Sequence, residues 1–210
     1  MKVIDLTMEI VSSMKVFPGS PQPLFITWSK VETQGYASET MFLSTHTGTH
    51  IDAPSHFIQD SRTVDQLDVS RFVSRAILLT TPKKADQQIT RSDIINCGIN
   101  ANDTVVFATG WEKWLKEENY MSNNPGLSSD AAEYLVSNRV NAVAIDGPSI
   151  DRGVDNHFNS HNILLSKGIP VIENLCNLEQ LRPATSFTII INPLKLVGAS
   201  GSPVRAIAVL

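Results

Sequence analysis

Residues 44–57 read STHTGTHIDAPSHF and contain three of the five histidines in this 210-residue chain. They are His46, His50 and His56, and Asp52 lies between the last two. The threonines and isoleucine of this stretch are β-branched, whereas its glycine and proline disfavour a helix, so we expect an extended conformation. Because side chains alternate between the two faces of an extended chain, His46, His50 and Asp52 are predicted to share one face.

This cluster has the chemistry of a catalytic metal site. Imidazole nitrogens and carboxylate oxygens are ligands for zinc, manganese and iron, and three protein ligands leave a coordination position for water. A divalent ion lowers the pKa of bound water to about 7, which makes hydroxide available at neutral pH. The pattern therefore predicts a metal-dependent hydrolase, although a single histidine on a strand is more often a surface or hydrogen-bonded residue. The spacing differs from HExxH, so a zincin-type protease is not expected.

Further ligand types lie in the C-terminal half. His157 occurs in a polar segment, which favours an ordinary surface position, and His161 follows four residues later. Glu173 ends the otherwise apolar segment IPVIE. A buried carboxylate at that position needs a partner, and a second metal ion would supply one.

Composition limits the class of protein. The chain is 42% hydrophobic and 18% charged, which is typical of a folded core. The net charge of -4 and the lack of a dense basic cluster argue against a nucleic-acid partner. No run approaches the roughly 18 apolar residues of a membrane span, so no membrane partner is expected. The first 20 residues resemble no signal peptide, and Cys97 and Cys176 form no CxxC motif, so we expect a cytoplasmic protein with free thiols.

Predicted strands and helices are interleaved along the chain. Apolar and β-branched segments predict strands at 3–6, 25–31, 41–45, 76–80, 104–109, 142–145, 170–172, 187–191 and 204–209. Capping residues and composition predict helices at 90–96, 111–119, 128–138 and 160–168. This order predicts a mixed α/β fold with a sheet-rich core.

The run HTGTHIDAPSHF resembles the HxGTHxDxPxH signature of the metal-dependent cyclase-like hydrolases, which include bacterial kynurenine formamidases. Other segments resemble the family in the same order: VIDLTMEI, VFPGSP, FATGW, AIDGPSID, HNILLSKGIPVIENLCNLEQL and PLKLVGASGSPVRAIAV. The resemblance implies one α/β domain over residues 1–210, of the swivelling β/β/α type, assembled into homodimers or homotetramers. It also implies a small-molecule amide as substrate.

The resemblance also implies roles for individual residues. Its metal ligands correspond to His46, His50, Asp52, His161 and Glu173. Asp52 would bridge two metal positions, so one or two ions, zinc or manganese, are expected. His56 corresponds to the residue that transfers protons. Our hypothesis is that a metal-bound hydroxide attacks a polarised amide carbonyl while His56 relays the proton to the leaving amine.

The chain departs from the kynurenine formamidase pattern at one turn. Those enzymes typically show Trp-Pro-Gly-Asp where this chain has Phe17 to Ser20. Phe17 is still expected to stack on an aromatic substrate, whereas Ser20 removes a charge. An arylformamidase that converts N-formylkynurenine to kynurenine and formate is the best single prediction. The alternatives are ring opening of a small cyclic amide or imide such as isatin, a ring-forming cyclase, and a metal-holding binding protein without turnover.

Overall fold

The computed structural model describes residues 1–210 as one large sheet, two small sheets and short helices. The strands are β1 (Val3–Asp5), β2 (Leu24–Ser29), β3 (Ser38–Phe42), β4 (His50–Asp52), β5 (Val73–Thr80), β6 (Gln88–Ile89), β7 (Thr104–Ala108), β8 (Gly126–Leu127), β9 (Ala142–Ile145), β10 (Val171–Glu173), β11 (Ser186–Pro193) and β12 (Gly201–Val209). The α-helices are α1 (Val31–Gln34), α2 (Arg91–Ile94), α3 (Ser129–Ser137) and α4 (Asn159–Ser166). Short 3-10 segments occur at Pro54–His56, Val64–Gln66, Val69–Phe72, Trp111–Trp114, Glu118–Tyr120 and Leu178–Leu181.

The large sheet closes on itself. Its order is β1-β12-β11-β5-β7-β9-β10-β4, and β4 pairs with β12 as well as with β10. Strands β5, β7, β9 and β10 are parallel, while the remaining pairings are antiparallel. Seven strands therefore form a mixed barrel, with β1 beside β12. The short strand β4 completes this ring, and it carries the histidine motif.

Alternate residues of the strands enter two different apolar clusters. On β5, Ala76 and Leu78 belong to one cluster together with inward residues of β11 and β12. Ile77 and Leu79 belong to the other, which also contains residues of α3 and α4. Burial on both faces explains why these strands are continuously apolar. The predicted α/β fold with a mixed, sheet-rich core is confirmed.

Two local predictions are wrong. The expected helix at 111–119 is a pair of 3-10 turns, because the indole N–H of Trp111 donates to the carbonyl of Tyr120 and draws the segment into a compact loop. The expected extended run at 46–56 is a strand only at His50–Asp52. Gly48, at φ +63°, makes a turn before the strand, and Pro54 begins a 3-10 turn after it. None of the helices has the length and apolar character that crossing a membrane requires.

Candidate metal centre

Strand pairing brings His50 and Glu173 together. In the antiparallel pairing of β4 with β10, His50 lies directly opposite Glu173. The Nε2 atom of His50 lies 3.5 Å from Oε2 of Glu173 and 3.4 Å from Oδ1 of Asp52. All three side chains are buried. The closing strand of the barrel thus supplies two ligand types and its neighbour supplies the third.

His161 reaches the same point from the first turn of α4. Its Nε2 atom lies 3.1 Å from Oε1 of Glu173 and 3.3 Å from Oδ2 of Asp52. The start of the helix is held by Asp151, whose carboxylate accepts the backbone N–H groups of Ser160 and His161. The loop before α4 therefore fixes where the His161 ring projects.

His46 precedes the turn at Gly48 and approaches Asp52 from the other side. Its Nδ1 atom lies 2.6 Å from Oδ1 of Asp52, and its Nε2 atom lies 3.0 Å from the hydroxyl of Ser200. Gly201 leaves room for this ring, since a Cβ atom there would lie 2.7 Å from Cε1 of His46. The prediction that His46, His50 and Asp52 share one face of a single extended strand was wrong. The turn at Gly48 nevertheless brings the three side chains together.

The five predicted ligands form two groups that share one carboxylate. One group contains His46, His50 and Asp52, and the other contains Asp52, His161 and Glu173. Within each group the candidate ligand atoms all lie within 4.8 Å of one another. Asp52 is the residue that both groups share, so the structure brings together the five side chains that the family resemblance implied as ligands.

The donor set fits a divalent cation. Oδ2 of Asp52 is buried and makes no well-aligned hydrogen bond, since its contact with Nε2 of His161 at 3.3 Å is only an ion-pair approach, and a buried carboxylate oxygen without such a bond is costly. Burial by itself would lower the pKa of His50, but the charges of Asp52 and Glu173 raise it to about 9. Burial opposes ionisation of Asp52 as well, but the surrounding histidines hold the pKa of its carboxyl well below the usual range. The cluster thus concentrates buried carboxylates beside histidine nitrogens, and a divalent ion bound there would compensate their negative charge.

Both buried histidines are held in the orientation that metal-ligating histidines adopt. Nδ1 of His50 donates to the carbonyl of Gly48 at 2.9 Å. Nδ1 of His161 donates to the carboxylate of Asp151 at 2.6 Å. Each contact leaves Nε2 facing the shared carboxylates, and such contacts orient a ligand and raise its basicity.

His56 lies at the edge of this centre. Its ring stacks on that of His46, with centroids 3.9 Å apart, and its centroid is 6.2 Å from that of His161. Although His56 is partly exposed, partial burial and the adjacent histidines lower its pKa to about 4. These surroundings therefore favour the neutral ring of His56.

A cavity of about 190 Å³ opens onto the cluster. Its aromatic lining consists of Phe17, Phe57 and Phe158, and the two last rings are 5.3 Å apart. Phe57 also stacks on His161 at 4.7 Å. Phe17 is 6.5 Å from Phe158 and half-exposed, as a substrate-facing residue at the cavity mouth would be. Phe17 and Ser20, the two positions that depart from the kynurenine formamidase pattern, therefore both border the site.

Sequence reasoning missed several residues of the site. Asp151, Phe57 and Phe158 were not predicted, and neither was Asn174, whose amide donates to the carbonyl of Gly48. Asp151 carried no clear signal, because Arg152 follows it directly and Asp155 lies nearby, as in an ordinary charged surface segment. His157, in contrast, is exposed and lies outside the cavity lining, in line with the surface position predicted for it.

Comparison with known proteins places the chain in a family. A model of the Cyclase family matches residues 4–152. The chain belongs to the Cyclase family. It is 31% identical to the kynurenine formamidase of Geobacillus thermodenitrificans over 206 residues, covering 97% of this chain and 95% of that protein.

Solved structures agree with this assignment. Isatin hydrolase A from Labrenzia aggregata, bound to benzyl benzoate, superposes with a TM-score of 0.90 at 26% identity, covering 99% of this chain and 93% of that one. A potential metal-dependent hydrolase with cyclase activity superposes with a TM-score of 0.83 at 29% identity, covering 99% and 96%. The prediction of a metal-dependent hydrolase is confirmed.

Proposed function

We propose that this metal-dependent amide hydrolase cleaves an arylformamide, with N-formylkynurenine as the best single substrate. The observation that carries the proposal is the aromatic wall of Phe17, Phe57 and Phe158, which lines the same cavity as the candidate metal ligands. An aromatic ring stacked there would bring its amide substituent to the ligand cluster. Similarity to a kynurenine formamidase over 97% of the chain supports the same reaction.

One charged residue of the cavity also suits this substrate. Lys15 belongs to the lining, and its ammonium group donates to the backbone carbonyl of Glu117. N-formylkynurenine carries an amino-acid carboxylate beyond its aromatic ring, and a lysine is an appropriate partner for that charge. Isatin has no such group. Lys15 therefore favours the linear formamide.

The chain's own residues have separable roles in this reaction. The proposed ligands His46, His50, Asp52, His161 and Glu173 would hold one or two divalent ions, zinc or manganese, and such ions supply Lewis acidity at the amide carbonyl. An imidazole nitrogen of His56 takes the proton of the attacking water and passes it to the leaving amine nitrogen. Phe17 orients the ring of the substrate, and the remaining aromatic wall excludes water from the reacting atoms.

Ring opening of a small cyclic amide such as isatin is the second candidate. Phe17 and Ser20 stand where kynurenine formamidases typically have tryptophan and aspartate. The similarity of the backbone fold to isatin hydrolase A, with a TM-score of 0.90, supports this candidate. Isatin is also compact enough for the cavity. The same metal and the same proton transfer would serve both reactions.

Product analysis distinguishes these reactions. Protein loaded with zinc or manganese is incubated separately with N-formylkynurenine and isatin, and the products are identified by mass spectrometry, with His50→Ala as the control for contaminating activity. An arylformamidase adds water and releases two products, one of them formate. A ring-opening hydrolase adds water and releases one product, whereas a ring-forming cyclase loses water. Tight metal binding without turnover of either compound would favour a binding protein.

The cytoplasm is the compartment we propose for this activity. Cys97 and Cys176 are both free, as expected of thiols in a reducing environment. A small-molecule amide of that compartment would be the substrate.

A further inference from the structure

Ser149 is a buried residue of the cavity wall whose hydrogen-bond donors are unused. It is 6% exposed and lies in the loop that follows β9. Its hydroxyl oxygen accepts the backbone N–H of Asp151 at 3.2 Å, but its hydroxyl hydrogen donates to no protein atom. The backbone N–H of Ser149 also has no acceptor. Buried donors are nearly always paired, so two unused donors on one cavity residue indicate a role in binding a ligand.

The loop around Ser149 is held firmly in place. The side-chain amide of Asn124, which is fully buried, donates to the backbone carbonyls of Ser149 at 3.1 Å and of Asp151 at 2.8 Å. Pro148 precedes Ser149 and has a fixed φ and no N–H of its own. Donors that need no reorganisation stabilise a developing charge best, so this rigidity suits a catalytic role.

The loop places Ser149 beside the candidate metal ligands. The next residue, Ile150, donates its backbone N–H to Oε1 of Glu173 at 2.7 Å. One residue further, the carboxylate of Asp151 holds the ring of His161. Ser149 follows β9 and Glu173 ends β10, and these two strands are parallel neighbours. Ligands of α/β folds commonly bind at the carboxyl ends of parallel strands, so Ser149 has the position of a residue that contacts substrate.

Another buried polar residue of the cavity wall, Asn174, is fully engaged. Its amide donates to the carbonyl of Gly48 and accepts the hydroxyl of Tyr120. Thr47, in contrast, has a buried hydroxyl without a partner. Ser149 is the better candidate, because the N–H that it accepts fixes the position of its oxygen, whereas no hydrogen bond fixes the Thr47 hydroxyl. Thr47 is therefore the alternative donor that the experiment has to distinguish.

We propose that Ser149 is a catalytic residue whose hydroxyl and backbone N–H donate to the carbonyl oxygen of the scissile amide. This inference rests on the proposed amide hydrolysis, but it holds for a linear or a cyclic amide. When the oxygen of water bonds to the carbonyl carbon, the π-electron pair of the carbonyl moves onto its oxygen, and the water proton passes to His56. The two donors of Ser149 bind that negative oxygen more strongly than the neutral carbonyl, so they lower the barrier to reaction.

Steady-state kinetics of the metal-loaded protein tests this role, with whichever of N-formylkynurenine and isatin wild type hydrolyses faster. Ser149→Ala should lower kcat by about a hundredfold, because it removes one donor to the developing oxyanion. KM should stay within about threefold of wild type, since the lost interaction forms mainly in the transition state. Metal content, measured by elemental analysis, should not change. Ser149→Thr keeps the hydroxyl and should restore most of the rate.

The controls separate this role from a structural one. Ser166→Ala should react like wild type, because Ser166 is an exposed serine outside the cavity. An unchanged kcat in Ser149→Ala would overturn the proposal, and so would a loss of metal in parallel with the rate. A large loss in Thr47→Val with none in Ser149→Ala would assign the donor to Thr47. Wild type that hydrolyses neither compound would refute the proposed function itself, and this inference with it.

Replacement of the carbonyl oxygen by sulfur tests the contact at the reacting atom. Sulfur accepts hydrogen bonds weakly, so wild type should lose the contribution of Ser149 with the thiocarbonyl analogue of the same substrate. The ratio of kcat for the oxygen and sulfur compounds should be about tenfold smaller in Ser149→Ala, which has no hydroxyl bond left to lose. Both ratios are measured with the same metal, so its own preference for sulfur cancels. Equal ratios would show that the Ser149 hydroxyl does not contact the carbonyl oxygen.

Discussion

Oδ2 of Asp151 lies 2.6 Å from Nδ1 of His161, so the other ring nitrogen of His161 faces Asp52 and Glu173. The same carboxylate accepts two backbone N–H groups at the start of α4. One buried side chain therefore sets both the position of the helix and the direction of the ring. His161 is the only proposed ligand on a helix, and Asp151 joins that helix to the strand-borne ligands.

Asp151→Asn should weaken metal binding by about 10–100-fold, because it removes the charge that orients His161 and raises its basicity. Competition titrations with a chromophoric chelator measure this affinity. Asp103→Asn is a matched control, since Asp103 is also buried but pairs with Arg75, away from the site. Equal affinities of wild type and Asp151→Asn would show that Asp151 only caps the helix.

His50→Ala should abolish hydrolysis and lower the metal content, by about half if two ions bind, because His50 is buried within 3.5 Å of both Asp52 and Glu173 and belongs to one of the two ligand groups. Elemental analysis of undialysed protein gives the metal content. His157→Ala serves as the control, because His157 is an exposed histidine outside the cavity. Full metal retention by His50→Ala would exclude His50 as a ligand.

Glu173→Ala should halve the metal content if two ions bind, since Glu173 belongs to only one of the two ligand groups. Its Oε1 atom also accepts the backbone N–H of Ile150 at 2.7 Å, so some loss of thermal stability is expected as well. An unchanged metal count with lower stability would assign Glu173 a purely structural role.

Gly201→Ala should disturb the site by crowding. The added Cβ would lie 2.7 Å from both Cε1 of His46 and the carbonyl oxygen of Ile51. Overpacking of this kind costs about 1–3 kcal/mol in the free energy of unfolding, and displacement of His46 should lower metal affinity too. Gly147→Ala is the comparison, because its nearest neighbour would be at 3.6 Å. Denaturant unfolding and metal titration measure the two effects, and similar losses in both variants would contradict the steric explanation.

Stability should fall as pH rises because of an acidic pair remote from the metal ligands. Burial, together with the Glu179 and Asp146 carboxylates, raises the pKa of Glu112 from 4.5 to about 8. Between these values the folded protein holds a proton that the unfolded chain has released, so the free energy of unfolding decreases with increasing pH. Glu112→Gln should melt near the wild-type temperature at pH 5 and above it at pH 8. If the difference in melting temperature between Glu112→Gln and wild type were the same at pH 5 and pH 8, the raised pKa of Glu112 would be ruled out. Glu118→Gln is the control, because Glu118 is an exposed glutamate.

Much of the candidate site was predictable because ligand types are a local property of the sequence. Three histidines and an aspartate within eleven residues indicated metal chemistry before any fold was known. Their conformation was less predictable. Gly48 turns the chain at a positive φ, and its carbonyl accepts hydrogen bonds from His50 and Asn174. Asn174 is 126 residues away, so no local pattern reports that contact.

The sequence by itself determined the strand-rich α/β character and the identities of the proposed metal ligands. Apolar patterning and side-chain chemistry are carried by neighbouring residues, so both can be read without a fold. Only the tertiary structure decided that β4 closes a barrel between β10 and β12 and that Asp151 orients His161. It also decided that partial burial and the neighbouring histidines lower the pKa of His56, and that β2 and β3 form a two-stranded sheet separate from the barrel. These properties depend on contacts between segments that are far apart in the sequence, and such contacts form only when the whole chain folds.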